Sequence, residues 1–186
     1  MSSAGSVRLF VALELPAAVR RELSGWAREH AGGQVGLRLV DPESLHVTLC
    51  FLGSRPAAEI EEIAAACQVA VSGLPAARLA LGNALWLPPR RPRVLTVELT
   101  EDDGRLAAVQ SALAGALAEG GFYQPETRPF LAHVTAARVQ REARPRLEPR
   151  PAPDPTPFTG SIVTLYQSRL GKGPARYEAL SSTELG

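Results

Sequence analysis

The chain has 186 residues, 45% hydrophobic and 21% charged, with 20 Lys and Arg against 19 Asp and Glu for a formal net charge of +1. Such a chain buries enough apolar surface to fold as one domain spanning residues 1–186. The balance excludes a broadly basic nucleic-acid coat and an acidic disordered tail, so any polyanion must be met at a local site.

The first predicted element is a strand over Val7–Leu15, closed by Pro16. A helix follows, with Val19, Leu23 and Trp26 at helical spacing, and Gly32-Gly33 stop it. A short strand is expected at residues 36–40, then a strong one over residues 44–53, ended by Gly53. A second helix is expected from Pro56 to Val71, with Glu59, Glu61 and Glu62 at its favourable N-terminal end. Strands at residues 78–87 and 93–100 flank the turn Pro88-Pro89-Arg-Arg-Pro92 and read as a hairpin. A third helix spans about 104–119, with Leu106, Val109, Leu113 and Leu117 on one face. A strand over 130–139 follows. The proline-rich stretch 144–157 is neither helix nor central strand and reads as an extended surface loop. Strands at 158–170 and 177–181 close the chain around a turn at Gly171–Pro174. More strands than helices, with the helices spread along the chain, point to an α/β or α+β domain whose helices cover the outer faces of sheets.

Cys50 and Cys67 are too few for a disulfide framework and read as buried thiols. There is neither a signal-peptide pattern nor a stretch of about 20 apolar residues, so a cytoplasmic protein away from membranes is expected.

The chemistry resides in a repeat. His-Val-Thr occurs at His46-Val47-Thr48 and again at His133-Val134-Thr135, about half a chain later, and these hold two of the three histidines. On a strand, residues two apart share a face. Each copy therefore presents an imidazole beside a hydroxyl, opposite an apolar row that includes Leu49 and Phe51 in the first copy. One His-x-Thr alone carries little weight. Two matching copies on predicted strands point to function. Two imidazoles in one cleft supply a base that takes a proton from water and an acid that gives one to a leaving oxygen. The hydroxyls suit non-bridging phosphoryl oxygens. That set fits metal-free cleavage of a phosphodiester, above all a strained cyclic one. Zinc needs three or four protein ligands, and there is no third histidine in a suitable context, no Cys-x-x-Cys and no His-Glu-x-x-His.

With these motifs the sequence resembles the 2H phosphoesterases, in the RNA 2′,3′-cyclic phosphodiesterase (LigT/ThpR-like) branch. The resemblance spans nearly the whole chain: Arg8-Leu-Phe-Val-Ala-Leu, Leu45-His-Val-Thr-Leu-Cys-Phe-Leu-Gly53, Arg128-Pro-Phe-Leu-Ala-His-Val-Thr-Ala-Ala-Arg138, and Leu165-Tyr-Gln-Ser-Arg-Leu with Tyr177. Ala132 and Ala136 depart from the family pattern, both on the apolar side of the strand. The resemblance implies a bilobal fold of two pseudo-symmetric lobes of antiparallel sheet, with helices outside and a central cleft. It implies hydrolysis of an RNA 2′,3′-cyclic phosphate to a 2′-phosphate. No cofactor is expected, the partners expected are RNA 3′ ends or nucleotides with a cyclic phosphate, and a monomer is expected. His46 is then the proton donor, His133 the proton acceptor, and Thr48 and Thr135 hold the phosphoryl oxygens. Rival expectations are 2′–5′ RNA ligation in the same cleft and a non-catalytic nucleotide-binding module.

Two substrate-binding candidates join these. Arg138 suits a phosphate or a base, but strict alternation puts it opposite His133, so it reaches the cleft only if the strand bends. Phe10 is a candidate for stacking on a nucleobase, with a core role as the alternative. Arg90, Arg91 and Arg93 suit either an RNA backbone or a solvated turn, and Tyr123 and Tyr166 are undecided.

Overall fold

The computed structural model describes residues 5–145, 147–169 and 176–186; the turn expected at Gly171–Pro174 lies outside them. Strand β1, Ser6–Glu14, is buried on both faces from Leu9 to Leu13, as its unbroken apolar run requires. Pro16 ends it and precedes helix α1, Ala17–Ala31, which buries Val19, Leu23, Trp26 and Ala27. Next come β2, Leu37–Leu39, and the motif strand β3, His46–Pro56. Helix α2, Ile60–Val71, begins four residues later than the sequence pattern places it, because Ala57–Glu59 form a separate tight turn. The hairpin β4, Ala77–Leu87, and β5, Val94–Glu101, forms as expected. Helix α3, Arg105–Glu119, lacks a side-chain cap on Gly104. Instead the Glu101 carboxylate accepts the free N–H groups of Leu106 and Ala107 at 2.7 and 3.0 Å. The second motif strand is β6, His133–Val139.

The strand expected over 158–170 is in fact two, β7, Phe158–Gly160, and β8, Ile162–Arg169, parted at Ser161. They pair with different partners, β7 with β4 and β8 with β1. The last strand is β9, Arg176–Glu184. The hydrogen-bonded order is β7-β4-β5-β6-β3-β1-β8-β9, with β2 added beside β6. Every pairing is antiparallel. Because β7 and β8 are one residue apart in the chain yet lie in opposite halves of that order, the sheet must curl until its two ends approach. Two backbone bonds between Gly186 and the segment before β4 tie the far edge back.

The strand order is its own mirror about the β6–β3 seam. β1 matches β5, β8 matches β4, and β9 matches β7. The seam is a single rung, Val47↔Val134. The helices cross it. α1, which follows β1, packs on β6, and α3, which follows β5, packs on β3. Each helix therefore supports the motif strand of the opposite half. One apolar core of Leu, Val, Ile and Ala side chains runs through both. The proline-rich segment is pinned from outside: the Trp26 indole donates to the Pro151 carbonyl at 3.1 Å, and that of Trp86 to the Glu148 carbonyl at 2.9 Å. Among the described residues, no helix is long and apolar enough to cross a membrane.

Candidate active site

Each motif strand enters the sheet with its valine fully buried, which turns the flanking His and Thr to the other face. Antiparallel pairing at Val47↔Val134, extended one residue each way, sets His46 opposite Thr135 and Thr48 opposite His133. All four line one small cavity of about 40 Å³, together with Val40, Ser44, Arg138 and Tyr177.

Both imidazoles are fixed the same way. His46 Nδ1 lies 2.8 Å from the Ser44 carbonyl oxygen, and His133 Nδ1 lies 2.8 Å from that of Leu131. A carbonyl only accepts, so Nδ1 carries the hydrogen in both rings and Nε2 is left for chemistry. In His46 that Nε2 accepts from the Thr48 hydroxyl at 3.1 Å.

The halves differ in what surrounds each ring. The cleft face of β1 carries Phe10, Ala12 and Glu14, and Glu14 is the register partner of His46. Phe10 packs against His46 with ring centroids 4.9 Å apart, Tyr177 stands edge-on at 5.3 Å, and Tyr166 stacks on Phe10. The Glu14 carboxylate accepts hydrogen bonds from the Tyr166 and Thr164 hydroxyls at 3.1 and 2.6 Å. Burial, then Glu14, push the Tyr166 phenol up to about 12, so it stays a donor. Walled in this way, His46 resists taking a proton: burial first, helped by Arg138 and His133 and opposed by the Ser44 carbonyl, lowers its pKa to about 4. In the second half the register gives Val94 the place Phe10 holds in the first, and no ring contact encloses His133 there among the described residues. His133 instead edges a wide groove of about 750 Å³ that Thr48 also lines.

Phe10 is therefore not a base-stacking surface. It is 4% exposed, with rings packed around it, and it serves as the floor under His46. Two residues reach the cleft against strict alternation, for one reason. On β3 the pairing steps from Ala12↔Thr48 to Val11↔Cys50, skipping Leu49; on β6 it steps from Thr96↔Thr135 to Leu95↔Ala137, skipping Ala136. A bulge follows the threonine in both motifs and resets the face of everything after it. Arg138 thus joins His133 on the cavity wall. Phe51, expected on the apolar face, is instead 50% exposed and lines the groove, with the Arg8 guanidinium 5.4 Å above its ring. Tyr166 and Tyr177 are further site residues that sequence reasoning leaves unassigned.

The remaining candidates fall into place around this site. Cys50 and Cys67 are buried free thiols, and burial pushes both up to about 12, so neither is a nucleophile. Among the described residues, no three His, Cys, Asp or Glu side chains converge as a metal would need.

Known proteins similar to this chain fall in one family. The model of the LigT-like phosphoesterase family matches residues 13–96. The RNA 2′,3′-cyclic phosphodiesterase of Escherichia coli K12 is 31% identical over 180 residues, 93% of each chain. The protein of the same name from Archaeoglobus fulgidus is 31% identical over 139 residues, 73% of this chain and 74% of its own. Among solved structures, TT0787 of Thermus thermophilus superposes with a TM-score of 0.82 at 27% identity, covering 96% of this chain and 97% of its own. Escherichia coli LigT complexed with 3′-AMP superposes with 0.79 at 28% identity, covering 97% and 99%.

Proposed function

The chain belongs to the LigT-like phosphoesterase family, and from that premise we propose that it hydrolyses the 2′,3′-cyclic phosphate at an RNA 3′ end to a 2′-phosphomonoester, without a metal ion. The observation that carries this reading is the pair of His-Val-Thr copies joined at Val47↔Val134, which brings two carbonyl-anchored imidazoles and two hydroxyls to one cavity.

The cyclic phosphate sits in that cavity, its non-bridging oxygens facing the Thr48 and Thr135 hydroxyls and the Arg138 guanidinium. Water attacks phosphorus and gives its proton to His133 Nε2. The bond from phosphorus to the 3′ oxygen breaks opposite, and that oxygen takes the proton of His46 Nε2. The 2′ ester bond survives. His46 is left neutral and His133 protonated, and exchange with solvent restores both. The assignment of donor and acceptor follows the family. His46 is neutral in the free enzyme, so the anionic phosphate must draw in its proton before it can act as the acid. In the neutral ring Nε2 is occupied by the Thr48 hydroxyl. Once Nε2 carries a proton it donates instead, and the hydroxyl is released toward the phosphoryl oxygen.

The test is incubation with adenosine 2′,3′-cyclic phosphate, with and without EDTA, followed by identification of the product. Adenosine 2′-phosphate at a rate unchanged by chelator is expected, as is loss of activity in His46→Ala and in His133→Ala, with each variant still folded. A metal-dependent rate, or full activity in either variant, overturns the mechanism. A 2′–5′ bond formed with added 5′-hydroxyl ends would mark ligation as the preferred direction.

A further inference from the structure

We propose that the groove beside Thr48 and His133 seats the nucleotide that precedes the cyclic-phosphate end, so that the enzyme favours RNA of two or more nucleotides over a mononucleotide. This rests on the cyclic-phosphate reading above. Two larger cavities flank the phosphate cavity, and their charges differ. The one on the His46 side, about 450 Å³, carries three carboxylates, Glu14, Asp41 and Glu43, against Arg20 and Arg176, and Arg20 is already paired with Glu43 at 3.2 Å. A second phosphodiester entering there meets net negative charge. The groove on the other side, about 750 Å³, carries Arg93 and Arg128 against the single carboxylate of Glu126. Both of these arginines are exposed. The polyanion is therefore directed to the His133 side.

The lining fits single-stranded RNA. Such strands are held by bases stacked on aromatic rings and guanidinium planes, with cations on the backbone. Phe51, half exposed and three residues beyond Thr48, stands on the strand that delivers the phosphate-holding hydroxyl. Tyr123 and Phe130 come from the separate segment between α3 and β6, and Arg128 stands on that same segment. None of Tyr123, Phe130, Arg93 and Arg128 lines the phosphate cavity. The phosphate cavity, about 40 Å³, has room for the cyclic phosphate alone, so these residues meet the nucleosides attached to it. The groove's volume lies in the upper part of the range of about 300–1,000 Å³ that small-molecule clefts span.

The experiment compares adenosine 2′,3′-cyclic phosphate with the dinucleotide ApA ending in the same cyclic phosphate, and with that dinucleotide carrying an abasic ribose in the first position. The expected kcat/KM for ApA exceeds that of the mononucleotide by about tenfold to a hundredfold, and the abasic substrate loses most of the gain. In the exposed-site double variant Arg93→Ala, Arg128→Ala, the ratio of the two rates moves toward one. A wild-type ratio near one, or a ratio the double variant leaves unchanged, overturns the proposal. Binding of ApA 2′-phosphate against adenosine 2′-phosphate reads the same ratio without turnover. If neither cyclic phosphate is hydrolysed, the catalytic reading fails on its own, and the binding ratio still decides whether the groove holds a second nucleotide.

Discussion

The proton on His46 gives the sharpest test of the site. With its pKa lowered to about 4, this ring is protonated in only about one molecule in a thousand at pH 7 in the free enzyme. An anion in the cavity changes that. Opposite unit charges about 4 Å apart gain about 4 kcal/mol at the effective dielectric typical of protein sites. At 1.36 kcal/mol per unit, that raises the pKa by about three, to near 7. Binding phosphate at pH 7 should therefore draw in about half a proton per site. Two measurements read this. Proton-detected NMR titration of the three histidines should show one ring that stays neutral down to below pH 5 when free and titrates near neutrality with inorganic phosphate present. His46→Gln identifies it. Calorimetric titration of sulfate, an anion with no proton to gain or lose near pH 7, in buffers of different ionisation enthalpy should show an uptake of about half a proton, absent in the variant. If the His46 ring titrates near 6.5 in the free enzyme, or phosphate leaves its titration unmoved, the account of the aromatic wall around it is wrong.

Two further outcomes follow from the same geometry. Thr48→Val and Thr135→Val keep side-chain shape but remove the hydroxyl, and each should lower kcat by about a hundredfold, as loss of one donor to a developing charge does; a kcat within about twofold of the parent would remove that threonine from the mechanism. Stability should also depend on pH through His46. Its folded pKa lies below the unfolded one, so the unfolded chain binds the proton first, and stability is full above about 6.5 and lost as pH falls toward 4. Between pH 7 and 5 urea unfolding should show a loss of about 1–2 kcal/mol, trimmed by solvent at the ring's open edge. His46→Gln should flatten that slope, and an equal slope in the variant would place the effect elsewhere.

Much of this site is legible in the sequence because strand alternation is local. His and Thr two apart share a face whatever the fold, and a buried valine between them fixes which face. Alternation fails at the next step, and for a physical reason. The bulges at Leu49 and Ala136 arise from pairing with β1 and β5, which are distant in sequence, and nothing within either motif announces them. Strict alternation therefore puts Arg138 and Phe51, both five residues past their histidine, on the wrong face. The break at Ser161 has only a weak local signal, Gly160-Ser161 inside an otherwise β-forming run, and the curl of the sheet is what divides that run between partners. Phe10 shows the opposite limit. Its place on the cleft face is readable from the strand, but whether a ring offers a free face or supports a histidine depends on Tyr166 and Tyr177, which arrive from the far end of the chain.

The single rung at Val47↔Val134 is not the only tie between the halves. At the far edges β7 runs into β8 through Ser161, and Gly186 bonds the segment before β4, so the two halves are joined on both sides of the cleft. Each histidine stands one residue from the rung. The separation of the two imidazoles is therefore set by one backbone pair at the centre of a closed frame, while the cavities on either side are walled largely by loops and strand ends.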